Sequence, residues 1–545
     1  DADALSVMFT TFHVGNWHPL TWISHAIDYS LWGLDAAGHH LTNTILHGLN
    51  ALLVFLLIVK LVVQAQRVTE STSFSNSTWN PMLYPVLTAG VTALLFSLHP
   101  LRVESVAWVA ERKDLLCAFF FLLSILCYLY YVLSPSSRNR GIWYFSCLLS
   151  FVLALTSKPM AVTLPVIVIL LDVYPLKRLY LRSGSTRILI LEKTPFFVLS
   201  IATGIVVIFA QNYGKSIRTL TQIPADVRLL NALRTPLFYL KKIIIPSELV
   251  PYYPFPVQVT WWDLQYLISA ILMVLITAFV LWMIQKRNYL FFSAWAYYLI
   301  TLLPVLGIVQ VGGQSAADRY TYLPSLSIFL LVGTGVSWIV HRDSVAKKKV
   351  ALGGLAVGGV LFFTMLSQLT IKQITIWKDS ERLWSRVVHT FPFPQSDPLV
   401  HFNLGNAYTK SGKVGKAISE FGKALQLNPG HIRAHNNLGR LYALGGNFDE
   451  AIVHFKQALA INPRYGRARN NLGGAYLQKG DYDSAIMEIE RSLADNPNNA
   501  NAHSNIALAY YLKGNYKAAR VHISRVISLG GTVNQELLQL LESSR

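Results

Sequence analysis

The densest set of charged side chains in the apolar part of the chain is the segment His99 to Asp114, HPLRVESVAWVAERKD. If it is helical, Glu104 and Glu111 share one stripe with a tryptophan between them, because positions three and four apart lie on the same face. Arg112 and Asp114 then flank that stripe. A carboxylate there can accept the proton of a reacting hydroxyl, while a neighbouring cation balances a departing phosphate. The alternative is a solvated, salt-bridged turn.

Cations form a second set of candidates. Arg319 is followed by Tyr320 at the start of an apolar run, and Lys158 lies between two short apolar runs. Together with Lys241 and Lys242 they are suited to binding the phosphate of a lipid-linked substrate. An arginine at the end of a span can instead extend to the membrane surface without binding anything. Both interpretations stay open.

Histidines and aspartates are crowded between Asn16 and Asn43, beside tryptophans that are typical of a membrane interface. Histidine is a common metal ligand. The spacing here contains no compact pair of histidines with a carboxylate. We therefore predict structural hydrogen bonds in this segment and no metal site.

Membrane-spanning helices, which apolar runs in the sequence predict, must position these groups. The chain is 53% hydrophobic with a mean hydropathy of +0.39, too apolar for a soluble protein of 545 residues. The segment 227–246 contains four cations and a proline, so we predict an interfacial helix there and not a span. We predict ten spans, at residues 42–63, 82–99, 115–133, 142–157, 159–174, 191–211, 262–284, 289–308, 320–340 and 349–372.

Loop charges predict the orientation. One side of the membrane receives the loops rich in lysine and arginine, at residues 138–140, 177–187, 286–287 and 342–349. That side is predicted to be cytoplasmic. Because such loops account for much of the formal charge of +19, no nucleic-acid binding is predicted. The extracytoplasmic side then receives residues 1–41, 100–114, the turn at Lys158, 212–261, 309–319 and everything after the last span.

A 34-residue repeat fills the C-terminal part, where the triplet at Asn403 recurs at Asn437, Asn471 and, in altered form, Asn505. This period is typical of tetratricopeptide (TPR) repeats, which are pairs of helices stacked into a superhelix with a peptide-binding concave face. The predicted fold is all-α, with four parts. They are a polytopic membrane domain at 1–380, a degenerate leading repeat helix with linker at 381–397, four repeats at 398–533 and a capping helix at 534–545.

The chain resembles bacterial relatives of the transmembrane and tetratricopeptide repeat-containing (TMTC) O-mannosyltransferases, members of the glycosyltransferase-C superfamily. The resemblance covers nearly the whole chain. It implies a glycosyltransferase-C-like membrane fold and transfer of a sugar from a polyprenyl- or dolichyl-phosphate donor to a protein hydroxyl. It rests, in order, on FTTFHVGNWHPLTWISHAIDYSLWGLDAAGHHLTN, HPLRVESVAWVAERKD, LTSKPMAVTLP, QVGGQSAADRYTYLP and the terminal repeats.

Carried over residue by residue, the resemblance implies catalytic roles for Glu104, Arg112 and Asp114, with Glu111 next. The superfamily usually places a catalytic acid in the first outer loop. The paired aspartates of the family would fall before residue 1, so we expect a preceding N-terminal piece. We assign the role of this acid to neither Asp1 nor Asp3. The implied contacts of the donor phosphate are Lys158, Arg319, Tyr320, Lys241, Lys242 and His18 of the HPL motif.

We therefore expect a multi-pass membrane enzyme that uses a lipid-linked sugar, with no nucleotide-sugar motif and with the need for a divalent cation left open. Its expected partners are acceptor proteins or peptides on the concave face of the repeats, and membrane lipids. The predicted cellular location is a bacterial inner membrane with periplasmic repeats, and the alternative is an endoplasmic reticulum membrane with lumenal repeats. The rival function is a non-enzymatic, membrane-anchored TPR scaffold.

Overall fold

The computed structural model describes residues 2–12, 15–70, 82–178, 186–214, 216–255, 259–342, 345–392, 397–533 and 535–543. Parts of two loops used for the predicted orientation, 179–185 and 343–344, lie outside these residues, as do 393–396 and 534 at two predicted domain edges. The chain divides into two compact units, Asp1–Lys378 and Asp379–Arg545. We call them the membrane unit and the repeat unit.

The membrane unit is built from fourteen α-helices among its described residues, together with short 3-10 helices and one antiparallel pair of strands, β1 (Tyr253–Pro254) and β2 (Gln314–Ala316). The helices are α1 (Ala2–Thr10), α2 (Pro19–Trp32), α3 (Ala36–Glu70), α4 (Leu83–Leu98), α5 (Val103–Ala107), α6 (Arg112–Leu133), α7 (Ser137–Ser157), α8 (Leu164–Val173), α9 (Thr186–Tyr213), α10 (Ala225–Ile244), α11 (Leu264–Gln285), α12 (Tyr289–Leu302), α13 (Ser325–Arg342) and α14 (Val345–Ile376).

Each of the ten predicted spans corresponds to an apolar helical segment. Six helices of the described residues are long and apolar enough to cross a membrane, and a seventh span results if the bent pair Leu83–Leu98 and Pro100–Ala107 is counted as one. The other three are shorter, at Pro159–Val173, Tyr289–Val305 and Ser325–His341. By length, six or seven of the ten predicted spans can therefore cross a membrane. The chain is still a multi-pass membrane protein. Helix α10 covers residues 227–244 of the predicted interfacial helix at 227–246 and is not among the candidate spans.

Burial separates the central helix from the peripheral ones. The segment Val109–Leu133, which contains α6, is 67% buried within the protein, whereas the corresponding figures for α11 and the apolar part of α14 are 11% and 6%. A helix that is apolar all round and still exposed needs lipid chains around it. Helix α6 therefore forms the centre of this unit.

Ten further helices occur among the described residues of the repeat unit. Glycines at 412, 446, 480 and 514 have φ between +71° and +82° and allow the turn within each repeat. Where two helices of a repeat cross at Gly439, an added Cβ would lie 2.8 Å from Phe455, so only glycine fits without a shift. The helices are α15 (Ser380–Thr390), α16 (Pro398–Lys410), α17 (Val414–Leu427), α18 (Ile432–Leu444), α19 (Phe448–Ile461), α20 (Gly466–Lys479), α21 (Tyr482–Asp495), α22 (Ala500–Leu512), α23 (Tyr516–Ser528) and α24 (Gln535–Ser543).

Candidate active site

The polar segment after α4 is broken into three short helical pieces before α6 begins. A 3-10 turn at Pro100–Arg102 leads into α5, and a second turn at Val109–Glu111 leads into α6. Trp108 separates them in an extended conformation, with φ −86° and ψ 105°. The segment is therefore not one continuous helix, and the helical alternative considered for it does not hold. Long-range pairing, and not a shared helical stripe, brings its carboxylates together.

Glu104 is held on both oxygens by Arg319. The Arg319 guanidinium pairs with Oε1, and the Arg319 backbone N–H donates to Oε2 at 2.8 Å. Both residues are buried, and Glu104 is 2% exposed. The guanidinium carbon also lies 5.0 Å from the ring centre of Tyr320 and 5.5 Å from that of Trp108. Glu104 therefore positions the guanidinium and has no oxygen left without a partner.

Glu111 is bound on one oxygen only. Its Oε1 lies 3.1 Å from Nζ of Lys113 and 3.5 Å from Nε of Arg319. Its Oε2 is buried and has no hydrogen-bond partner among the described residues. A buried, unpartnered carboxylate oxygen is costly unless something binds it. Glu111 is therefore the carboxylate of this site that has an oxygen free to accept a further hydrogen bond.

Asp114 and Lys158 form the next ion pair of the cluster. Ser105 Oγ donates a further bond of 3.3 Å to Asp114 Oδ2. The Lys158 ammonium lies 5.6 Å from the ring centre of Tyr320, the ring that Arg319 also contacts. Tyr320 thus joins the two cations predicted to bind phosphate. We call Glu104, Glu111, Lys113, Asp114, Lys158 and Arg319 the outer cluster.

His18 lies beside the outer cluster. Burial, together with the charges of Lys113 and Lys158, lowers its pKa to about 4. The imidazole is therefore neutral near pH 7. Its Nδ1 is buried and has no hydrogen-bond partner among the described residues. No group of three or more potential metal ligands occurs among the described residues.

Arg112 is placed away from the outer cluster. Its guanidinium is fully buried and contacts Asp28 at 2.5 Å, Asn43 at 2.8 Å and the carbonyl oxygen of His39 at 2.9 Å. These contacts tie α6 to α2 and α3. The prediction that Arg112 converges with the carboxylates is therefore wrong. Arg319 supplies the guanidinium that pairs with them.

Lys241 and Lys242, which the sequence also predicts to contact the phosphate, have surroundings that differ from those of Lys158 and Arg319. Lys241 is exposed on α10. Lys242 is buried and donates to the carbonyl oxygens of Ser247 at 2.5 Å and Glu248 at 3.2 Å. The structure therefore joins Lys158 and Arg319 on one tyrosine ring but holds Lys242 on backbone carbonyls.

Sequence reasoning missed one acid of the site. Asp318 is buried next to Arg319 and accepts a hydrogen bond of 2.7 Å from the hydroxyl of Tyr253. Burial and the nearby Glu104 carboxylate raise the pKa of Asp318 well above its usual range. Its position beside Arg319 was a signal, but the tyrosine is 65 residues away in the chain and nothing in the spacing indicates the pair.

The fold and the site define a class: a multi-pass helical membrane protein with a buried charged cluster, followed by a TPR solenoid. A family model described as "Tetratricopeptide repeat" matches residues 432–465. A second family model, described as "TPR repeat", matches residues 405–445 and 473–514.

Relatives match over most of the chain. "Protein O-mannosyl-transferase Tmtc3" of Drosophila melanogaster is 24% identical over 77% of this chain and 49% of its own length. "Protein O-mannosyl-transferase F38B6.6" of Caenorhabditis elegans is 24% identical over 76% of this chain and 54% of its own. This chain is therefore a relative of the TMTC proteins, as its motifs predict, and it spans about half the length of these two.

Among solved structures, "Crystal structure of MamA" is 25% identical, covering 28% of this chain and 86% of that chain with a TM-score of 0.26.

Proposed function

We propose that this chain transfers a sugar, mannose or another hexose, from a polyprenyl- or dolichyl-phosphate donor to serine or threonine hydroxyls of proteins. The reaction takes place on the extracytoplasmic face, and the repeats bind the acceptor. The names of the relatives support this class of reaction. The observation that carries the proposal is the open oxygen of Glu111 in a cluster that holds three cations, Lys113, Lys158 and Arg319.

The reaction is a direct displacement at the anomeric carbon. Glu111 accepts the proton of the acceptor hydroxyl, whose oxygen bonds to that carbon as the bond from the carbon to the phosphate oxygen breaks. The bonding electrons leave with the lipid phosphate. Lys158 and Arg319, fixed by Asp114 and Glu104, stabilise that developing charge.

Neighbouring residues orient the substrate. The neutral His18 offers a buried nitrogen for a hydrogen bond to the sugar or to the phosphate. Arg112 holds α6 in place and does not contact the reacting atoms. Glu111 is the proposed base.

A direct assay tests this function. The purified chain in nanodiscs is mixed with radiolabelled polyprenyl-phosphate mannose, or its dolichyl counterpart, and a peptide rich in serine and threonine. We expect radiolabel on the peptide with the lipid-linked donor and none with GDP-mannose. Normal folding with no transfer from either lipid donor would favour the rival function, a membrane-anchored scaffold.

A cellular test addresses the acceptors. We expect mass spectrometry of envelope proteins to show hexose on serine or threonine that is lost when the gene is deleted. Glu104→Gln removes the charge that positions Arg319 and should abolish that modification while the protein is still made. Unchanged modification in both strains would contradict the proposal.

A further inference from the structure

A large groove lies along the first helices of successive repeats, α16, α18, α20 and α22. Its volume is about 1190 Å³. Sites for small molecules usually enclose about 300–1,000 Å³ and are mostly apolar. This groove is lined mainly by asparagine and arginine instead. Its size and polarity suit a length of polymer more than a small molecule.

Asparagine side chains bond to one another across successive repeats. Asn437 donates to Asn406 at 2.8 Å, and Asn471 donates to Asn436 at 2.9 Å. A primary amide has two N–H donors and an oxygen with two lone pairs, so each pair keeps bonding capacity toward the groove. An extended peptide carries N–H and C=O groups that need such partners. The asparagines can therefore hold a main chain without regard to its side chains.

Arginines give the groove its charge. Arg433, Arg440, Arg464 and Arg467 line it and are exposed, and none of the four forms an ion pair with a described carboxylate. Asp495 is the single acid among the lining residues. Several cations elsewhere in the same solenoid are paired, as in Lys479 with Asp449. The groove thus holds unpaired positive charge that a ligand can neutralise.

We infer that this groove binds an extended polypeptide segment that carries acidic side chains. The asparagine pairs hydrogen-bond its main chain, and the arginines pair with its aspartates or glutamates. The inference builds on the proposed function, because such a segment would flank the modified hydroxyl. It narrows the acceptors to proteins with acidic serine- or threonine-containing stretches.

Peptide binding tests the inference without any sugar transfer. The full chain in nanodiscs is titrated against a fluorescein-labelled peptide of alternating glutamate and serine, and fluorescence anisotropy is measured. A second peptide has glutamine in place of glutamate. We expect the acidic peptide to bind at least about tenfold more tightly, because hydrogen bonds to charged groups contribute more than neutral ones.

Two double variants separate the contributions. Arg433→Gln with Arg467→Gln should reduce affinity for the acidic peptide about tenfold and barely affect the glutamine peptide. Lys479→Gln with Lys513→Gln removes equal charge outside the groove and should change neither. Asn437→Ala with Asn471→Ala should weaken both peptides alike. Circular dichroism checks that each variant is folded.

Equal affinity for the two peptides, or an arginine variant that binds the acidic peptide normally, would overturn the inference. So would tighter binding of a poly(U) oligonucleotide than of the acidic peptide. Acidic peptide bound normally by a chain that transfers no sugar would instead count against the proposed function alone. Sugar transfer without preference for acidic peptides would count against the inference alone.

Discussion

The outer cluster and a second buried charged cluster among the described residues of the membrane unit differ in how completely their side chains are hydrogen-bonded. The second, which we call the Tyr128 cluster, consists of Tyr128, Asp172, Arg178, Glu192 and Lys193. The hydroxyl of Tyr128 lies within 3.1 Å of all four charged side chains. In this cluster no described buried polar atom lacks a hydrogen bond, whereas Glu111 Oε2 in the outer cluster does.

This difference teaches that the number of buried charges does not identify a site. The Tyr128 cluster pairs two acids with two cations and joins α6, α8 and α9. Its bonds are complete, as expected of a structural tie. The outer cluster is also paired, yet it leaves bonding capacity on Glu111 and next to it on His18. Incomplete bonding, more than charge, marks the proposed active site.

The largest expected effect comes from Glu111→Gln. It keeps the shape of the side chain but removes the proposed base, so sugar transfer should fall about 10²–10⁴-fold. Transfer per folded molecule is measured in nanodiscs. The matched control is Glu192→Gln in the Tyr128 cluster, which should leave that rate close to the wild-type value. Equal losses in the two variants would remove the distinction between the clusters.

Arg112→Ala should act on folding. It leaves the Asp28 carboxylate buried without its guanidinium, which costs about 3–5 kcal/mol of stability. Denaturation in mixed detergent micelles measures the loss. The double variant Arg112→Met with Asp28→Leu should recover much of it. A stable Arg112→Ala protein without transfer activity would instead restore a catalytic role for Arg112.

Tyr128→Phe should have a smaller effect. It removes the hydroxyl at the centre of the Tyr128 cluster, and the expected cost is about 1–3 kcal/mol of stability with transfer unchanged. Tyr131→Phe is the control, since its hydroxyl contacts Glu192 alone within the cluster, at 3.1 Å. A loss of transfer in folded Tyr128→Phe would show that this cluster also has a functional role.

The smallest effect is expected for Asp318→Asn. Because the pKa of Asp318 is raised in the folded state, the unfolded chain releases this proton first as the pH rises above the ordinary value of 3.8. The contribution of this carboxyl to the free energy of unfolding therefore decreases as the pH rises from its unfolded-state pKa to its folded-state pKa. Asp318→Asn should remove that pH dependence and modestly stabilise the protein at neutral pH. A large destabilisation at pH 7 would show that Asp318 is ionised there.

Local patterns determined much of this protein. Apolar runs predict the membrane helices because each helix meets lipid or protein with nearly every side chain. The 34-residue period predicts the solenoid because each repeat packs only against its neighbours. The same local reasoning selected Glu104, Glu111, Asp114, Lys158 and Arg319, since charges beside apolar runs are costly.

Only the tertiary structure decided how those charges pair. Arg319 and Glu104 are 215 residues apart, so no spacing rule assigns one to the other. Arg112 had the right type and position for catalysis, but α2 and α3 supply Asp28 and Asn43 and bury it as a structural residue. The break at Trp108 is likewise seen only in the tertiary structure. Helices and repeats are set by neighbours in sequence, whereas an ion pair is set by which helices meet, and that depends on packing the whole unit.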